Sequence, residues 1–374
     1  MSQRRHFLLC CGGTGGHLSP GIAVAEALRA RGHTCQLVVS RKEVDSRLLA
    51  RYPQLPALRS PGVGLSRSPL GAVRFAWAQL GALVMALRLI HSHDTAAVIA
   101  FGGFLSAPWV VAARLLGRPV ILHEANRVAG RAIRRLARWA QCVFLPPKVS
   151  WPGCPVERCR PLGFPVRAEM QPLQQRKARR KLALPTDGPL LVVLGGSQGA
   201  RALNEWAHTA FPVLAEKGWH LLCITGMQQV SEVILREHGC EAHFRPFTTA
   251  MAEVLSGADL AVARAGAGTI AELRRFRLPA VLVPYPYAAD AHQDANASWQ
   301  ASLGGAIVVP QSELNTLTAT VCALAISPER REAMRAALSA SDTRDTLGEF
   351  VATAEHLTNG QSLPSLTEPR VSIG

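Results

Sequence analysis

Three glycine-rich turns hold the residues best suited to chemistry. Gly12-Gly13-Thr14-Gly15-Gly16-His17 follows the apolar run Phe7-Leu8-Leu9-Cys10-Cys11, and Gly195-Gly196-Ser197-Gln198-Gly199-Ala200 follows Leu190-Leu191-Val192-Val193-Leu194. Each has the pattern of strand, tight turn and helix. Glycine lets a backbone approach a ligand closely, and the helix that follows offers N–H groups to an anion. The third turn, Arg264-Ala265-Gly266-Ala267-Gly268-Thr269, follows Leu260-Ala261-Val262-Ala263 and suits a diphosphate. Glu272 comes soon after it. A carboxylate there can accept hydrogen bonds from vicinal ribose hydroxyls; the plainer reading is a carboxylate favoured by the helix macrodipole.

Several chemistries are absent from the pattern. A dinucleotide oxidoreductase needs Gly-x-Gly-x-x-Gly and an acidic residue some way downstream, yet the next strand here begins Thr34-Cys35-Gln36. No Gly-Lys-Ser/Thr marks a P-loop. The 9 cysteines form no Cys-x-x-Cys pair, so neither zinc nor a disulfide framework is indicated, and buried thiols in a reducing cytoplasm are expected. The N-terminal apolar run ends in glycines too early for a signal peptide.

The elements that must position these turns follow from the alternation of apolar runs and helical segments. Strands are predicted at 6–11, 35–39, 97–101, 120–122 and 142–145, then at 190–194, 220–224, 258–263, 280–283 and 306–309, with helices such as 21–31 and 200–216 between them. This is the pattern of an α/β protein with two doubly wound parallel sheets, Rossmann-like, whose ligands sit at the carboxyl ends of the strands. The length of 374 residues also favours two domains. A boundary is expected at Pro161-Leu162-Gly163-Phe164-Pro165, giving domains 1–163 and 164–340. A C-terminal helix at 341–358 returns to the first domain, and 359–374 form a disordered tail.

A hydrophobic content of 48% with 18% charged residues describes a globular chain. Its net charge of +15 favours anionic partners. Nucleic acid is disfavoured because the basic residues are dispersed and only 3 tyrosines are available for stacking. The run Arg176-Lys177-Ala178-Arg179-Arg180-Lys181 is expected to be a solvated helix face.

The turns, taken with Gly102-Gly103-Phe104-Leu105-Ser106-Ala107-Pro108, His123-Glu124-Ala125-Asn126, Gly163-Phe164-Pro165-Val166-Arg167 and His292-Gln293-Asp294-Ala295-Asn296-Ala297, resemble the GT-B glycosyltransferases. More narrowly they resemble the MurG family of N-acetylglucosaminyltransferases, along nearly the whole chain. The resemblance implies two Rossmann-like domains facing a cleft. It implies transfer of N-acetylglucosamine from UDP-N-acetylglucosamine to the C4 hydroxyl of the muramoyl unit of lipid I, giving lipid II by single inverting displacement. UDP would sit mainly on the C-terminal domain and the lipid acceptor against the N-terminal one. Without an Asp-x-Asp, helix N-termini and arginines would carry the phosphate charge, with no metal and no cofactor. Another GT-B transferase or a UDP-N-acetylglucosamine 2-epimerase would share the fold and donor.

His17 ends the first turn, where a neutral imidazole could act as base; Glu124 is the rival base, or else a carboxylate that binds nearby N–H groups. By motif position, the resemblance places Thr14, Gly15, Gly16, Asn126, Arg167, Ser197, Gln198, Gly199, Thr248, Gly266, Ala267, Gly268, Thr269, Glu272, His292 and Gln293 around the donor. Asn126 has a second reading as a helix cap. The family pattern has Gln where this chain has Ala125, and Asn where it has Phe164.

Two segments point to a membrane. Leu70 to Ile90 is apolar between and around Arg74 and Arg88, but its uncharged centre is short for a span; a largely buried helix is expected, with an exposed part touching lipid. At helical spacing, Arg131, Arg134, Arg135 and Arg138 form one basic face over 128–141, opposite Ala129, Ile133, Leu136 and Ala140. An anionic membrane surface at the cytoplasmic face, bound peripherally, is the expected partner.

Overall fold

The computed structural model describes residues 4–12, 15–61, 68–196, 198–227, 231–340, 345–361 and 363. Thr14 and Ser197, both assigned to the donor site, lie outside the described residues, as does most of the expected tail. The chain forms two units. One comprises Met1–Ala125, Ala129–Arg167 and Asp345–Gly374; the other comprises Asn126–Val128 and Ala168–Arg344.

The first unit holds β1 (His6–Cys10), β2 (Thr34–Val39), β3 (Ala57–Arg59), β4 (Thr95–Ala100), β5 (Val120–His123), β6 (Cys142–Leu145) and β7 (Cys159–Pro161). They form one parallel sheet in the order β3-β2-β1-β4-β5-β6-β7. The second holds β8 (Leu190–Leu194), β9 (His220–Gly226), β10 (Val233–Glu237), β11 (Cys240–Pro246), β12 (Leu260–Ala263), β13 (Ala280–Leu282) and β14 (Ala306–Val308), ordered β10-β11-β9-β8-β12-β13-β14. Here β10 alone runs antiparallel, as the outer strand of a hairpin. Both sheets reverse winding direction at one point, between β1 and β4 and between β8 and β12. Ligand crevices open there, beyond the strand ends.

Every predicted strand is present. The ones that composition missed lie toward the sheet edges: β3 and β7 are three residues long, and β10, mostly solvent-exposed, forms a hairpin with β11 at one edge of the second sheet. The central strands β8 and β9 are buried along their whole length, as parallel sheets covered on both faces require.

The C-terminal helix Thr346–Thr358 belongs to the first unit. Its Phe350, Val351, Ala354 and Leu357 are buried in the same core as β1 and β4. Phe350 packs tilted against Phe144, with ring centroids 4.6 Å apart. Its last turns are tied down by His33 and Arg31, which reach Glu355 at 3.0 and 3.2 Å, and by Arg5, which donates to the Glu355 carbonyl at 2.9 Å.

Several expectations need correcting. The first helix spans Gly15–Ala30, starting at the glycine turn rather than at residue 21, with Pro20 inside it, which has no N–H to give to the helix ladder. The 128–141 segment is a short helix, Arg131–Leu136, continued by a 3-10 turn, Ala137–Trp139. In the basic run Arg179 is not solvated: it is buried, ion-paired with Asp259 at 2.6 Å, and donates to the carbonyls of Gly257 and Gly188. Of the cysteines, Cys154, Cys159 and Cys322 are only partly buried.

The largest correction concerns the apolar segment. It forms the helix Pro69–Ser92, started by Ser68, whose side chain accepts from the Gly71 N–H at 3.1 Å. Only Ala82, Ala86 and Ile90 are buried. Leu70, Val73, Trp77, Leu80 and Val84 form a continuous stripe on the other side, with Leu70 and Trp77 exposed to 71% and 69%. By length and by mean hydropathy of 1.5 this helix would pass for a membrane span, and 11% of that window is buried. Contiguous exposed apolar patches of this kind mark interaction or membrane surfaces.

Candidate active site

In the first unit, the turns after β1 and β4 meet at the switch point. His17 lies in the first turn of the Gly15–Ala30 helix. Its ring packs over Gly102 and Gly103: a Cβ on Gly103 would stand 3.4 Å from His17 Cε1, and one on Gly102 would stand 3.5 Å from Nε2. Both glycines have positive φ, +100° and +75°, a conformation that side-chain-bearing residues adopt at a cost. The turn is closed by Ser106 Oγ, which donates to the Gly102 carbonyl at 2.6 Å.

Beneath lies His123, at the end of β5 and fully enclosed. Burial, reinforced by the nearby His17, pushes its pKa down to about 4, against a partial restoring effect from the Gly163 carbonyl 3.4 Å away. It is therefore neutral at pH 7. Phe164 lies edge-on to it at 6.4 Å between centroids. Where the family pattern has an amide, this chain packs an aromatic ring on a neutral imidazole.

Glu124 is buried, and its Oε2 accepts from the Gly130 N–H at 2.7 Å. Gly130 is the residue from which the Arg131–Leu136 helix starts. This carboxylate thus anchors a backbone loop. Arg167 is also buried, in the first unit, and donates to the Tyr52 hydroxyl at 3.3 Å.

In the second unit, the turns after β8 and β12 flank the other switch point. Gly199 packs so tightly on Thr225 that a Cβ would fall 2.1 Å from its carbonyl oxygen; Gln198 is left at the surface. Gly266 begins the helix Ala267–Arg275. The N–H groups of its first turn, from Ala267, Gly268 and Thr269, have no acceptor within the helix and point to the crevice mouth. Space around Gly266 is open, with Thr269 Oγ1 at 3.8 Å as the nearest atom to an added Cβ. Glu272 is half-buried, in the second turn of the same helix.

The turn is held from behind. Arg264 is buried and donates to the carbonyls of Val283 and Pro284, both at 3.1 Å, and to the Gln311 side chain. Gln293 accepts through Oε1 from the N–H groups of Ala265 and Tyr285, at 3.2 and 3.0 Å. His292 places Nδ1 2.7 Å from the Ala289 carbonyl, which fixes the proton on that nitrogen. Just before it, Asp290 and Ala291 both have left-handed backbones. Thr248 accepts from the Ala250 N–H at 3.1 Å and so shapes the start of the helix Met251–Gly257.

Sequence reasoning missed two features here. Asn126, together with Arg127 and Val128, belongs to the second unit although it follows β5 of the first. The helix that follows takes Gly130 as its N-cap, and the Asn126 side chain engages Asn296 instead: Oδ1 accepts from Nδ2 of Asn296 at 3.1 Å. Asn296 is buried, donates also to the Ala265 carbonyl, and accepts from the Arg127 N–H at 2.9 Å. Trp299 is flanked by the guanidiniums of Arg127 and Arg274, 4.7 and 5.0 Å from its ring. The only sequence signal was an Asn two residues after an Asp in the His292–Ala297 motif, which carries no hint of a partner so distant in the chain. Among the described residues, no cluster of His, Cys, Asp or Glu is placed to hold a metal ion.

Two α/β units, each with glycine turns and helix N-termini at its switch point, define a GT-B glycosyltransferase. Residues 7–145 match the glycosyltransferase family 28 N-terminal domain and residues 190–348 match its C-terminal domain. The chain belongs to this family and, within it, to the MurG group. It is 46% identical over 357 residues to the UDP-N-acetylglucosamine–N-acetylmuramyl-(pentapeptide) pyrophosphoryl-undecaprenol N-acetylglucosamine transferase of Opitutus terrae, covering 94% of this chain and 95% of that one. The protein of the same name from Nitrosococcus oceani is 38% identical, over 82% of this chain and 86% of its own. The crystal structure of Acinetobacter baumannii MurG superposes with a TM-score of 0.70 at 26% identity, covering 94% of this chain and 99% of that one. The Streptomyces glycosyltransferase SsfS6, at 15% identity and a TM-score of 0.66 over 94% and 100% of the two chains, shares the fold.

Proposed function

We propose that this chain transfers N-acetylglucosamine from UDP-N-acetylglucosamine to the C4 hydroxyl of the muramoyl unit of an undecaprenyl-diphosphate-linked muramoyl-pentapeptide. The product is a β-1,4-linked disaccharide lipid, formed by one inverting displacement. The observation that carries this reading is the pair of turns flanking the β8/β12 switch point, in a chain 46% identical to a relative named for that transfer.

The donor binds to the second unit. Its diphosphate lies against the first-turn N–H groups of Ala267, Gly268 and Thr269, whose partial positive charge stabilises the departing UDP. Glu272 accepts from the ribose hydroxyls, and Thr248 borders the uracil. Gln293 has its oxygen committed to backbone N–H groups, so its Nε2 is the atom that meets the sugar, alongside His292. By motif position Ser197, Gln198 and Gly199 of the second unit are assigned to the diphosphate, and Thr14, Gly15 and Gly16 of the first are assigned to the donor as well. Asn126, held by Asn296, presents its amide to the donor sugar; Arg167 is assigned to the donor by motif position.

His17 takes the proton from the acceptor hydroxyl. Its ring is fixed by Gly102 and Gly103 at a sheet mouth, whereas the Glu124 carboxylate is engaged with a backbone N–H below. Glu124 therefore shapes the loop, and His17 is the base.

The lipid acceptor requires a membrane, and the exposed stripe of Pro69–Ser92 supplies the contact. That helix and Arg131–Leu136 pack on the same face of the first sheet, through Ala86, Ile90, Ile133 and Leu136. Exposed Arg131, Arg134, Arg135 and Arg138 add attraction for anionic lipid, each worth about 1 kcal/mol. The protein docks peripherally on the cytoplasmic face, where the nucleotide donor is available.

The test is incubation of purified protein with labelled UDP-N-acetylglucosamine and the muramoyl-pentapeptide lipid, with chelator present. Formation of labelled disaccharide lipid is the expected result; release of free N-acetylglucosamine or its 2-epimer with no lipid product would exclude the reading.

A further inference from the structure

Six of the nine cysteines are buried, and burial pushes thiols such as Cys35, Cys142 and Cys223 up to about 12, which leaves them protonated and inert. Cys154 and Cys159 differ. Both are partly accessible, and their sulfurs stand 2.9 Å apart, close enough to share a hydrogen.

The loop that joins them is fixed at both ends. The Cys154 N–H donates to the Trp151 carbonyl at 3.0 Å, and the Arg158 N–H to that of Pro155 at 2.8 Å. The Arg158 side chain donates to the carbonyls of Arg138 and Ala140, both at 3.2 Å. Cys159 opens β7 and is registered against Val143 of β6. The two sulfurs are thus brought together by backbone contacts on either side of them.

We infer that Cys154 and Cys159 form a thiol–disulfide exchange site that takes a low-molecular-weight disulfide as its oxidant. The Cys154 thiolate attacks one sulfur of the reagent, forms a mixed disulfide and releases the first reagent thiolate. The Cys159 thiolate then attacks the Cys154 sulfur, closes the intramolecular bond and releases the second. Two electrons pass from the cysteine pair to the reagent, and the two thiol protons end on the released thiols. Cys154 goes first because it stands on the loop next to the cavity-lining Gly153, whereas Cys159 is held in the ladder of β7. The loop follows directly on Trp151, Pro152 and Gly153, which with Arg131, Arg134 and Arg135 line an open cavity of about 560 Å³. The modification therefore falls at the rim of the arginine-lined cavity, on the unit that carries the basic face.

The experiment treats the full native chain with oxidised glutathione, then reads intact mass and a non-reducing tryptic map. Trypsin cuts after Arg158, between the two cysteines. The expected result is loss of two hydrogens and a linked pair of peptides, 149–158 with 159–167, which reductant separates. In Cys159→Ser a single glutathione should remain on Cys154, and Cys322→Ser should behave as the parent. Glutathione adducts on both residues without a link, a link through Cys322, or no reaction would overturn the inference.

Discussion

Asn296 donates from Nδ2 to the side-chain oxygen of Asn126 across 170 positions of sequence, at 3.1 Å. The same amide donates to the Ala265 carbonyl of the third glycine turn and accepts the Arg127 N–H. One buried side chain thus ties the loop after β5 to the glycine turn after β12. Replacing Asn296 with Ala removes these three hydrogen bonds of a buried amide, at a cost of about 1–3 kcal/mol of stability. The donor KM is expected to rise roughly tenfold, as one lost hydrogen bond implies, with the acceptor KM little changed. Thermal melts and paired KM measurements check this; equal rises in both KM values would mean general loosening instead.

His17 and the glycines beneath it give a second expectation. His17→Ala should lower kcat by about 10²–10⁴, the usual worth of a general base, while UDP binds as before. Gly103→Ala should also lower kcat, because a side chain strains a backbone with φ of +75° in the loop on which the His17 ring rests. Calorimetric UDP binding alongside turnover separates the base from a donor contact; intact turnover in His17→Ala would remove it from the chemistry.

Folding stability should depend on pH through His123. Its folded pKa, about 4, lies below the ordinary value of 6.5, so below pH 6.5 the unfolded chain takes up a proton that the folded chain refuses. Stability is full above 6.5 and falls as pH drops toward 4, by about 3 kcal/mol in all. His123→Gln should flatten that part of the profile in urea melts at a series of pH values. An unchanged slope would assign it to other groups.

The Pro69–Ser92 stripe predicts membrane behaviour. Trp77→Ser combined with Leu80→Ser removes two of its large exposed groups. Each is worth about 1.5–3 kcal/mol when fully buried in an apolar phase. Co-sedimentation with vesicles containing anionic lipid should drop at least tenfold, with the melting temperature unchanged because neither residue packs in the core. Retained binding would move the contact elsewhere.

How much of this was legible in the chain depended on the range of the interaction. The central strands declared themselves because parallel strands covered on both faces are continuous apolar runs, as in Leu190–Leu194. The glycine turns declared themselves because close approach leaves few residue choices. The exposure of Trp77 did not, since an apolar helix has the same composition whether a core or a membrane covers it. Nor did the buried pairing of Arg179 with Asp259, or that of Asn296 with Asn126. Polar groups so far apart in sequence leave no local period to read, and only the sheet order brings them together.

The central claim is that main-chain N–H groups at the mouths of β8 and β12 grip the nucleotide diphosphate. A crystal structure with UDP bound tests it most directly. The account predicts phosphate oxygens within hydrogen-bond reach of the backbone of 267–269, with the ribose hydroxyls on Glu272. UDP bound anywhere else, with that helix N-terminus facing only solvent, would contradict it.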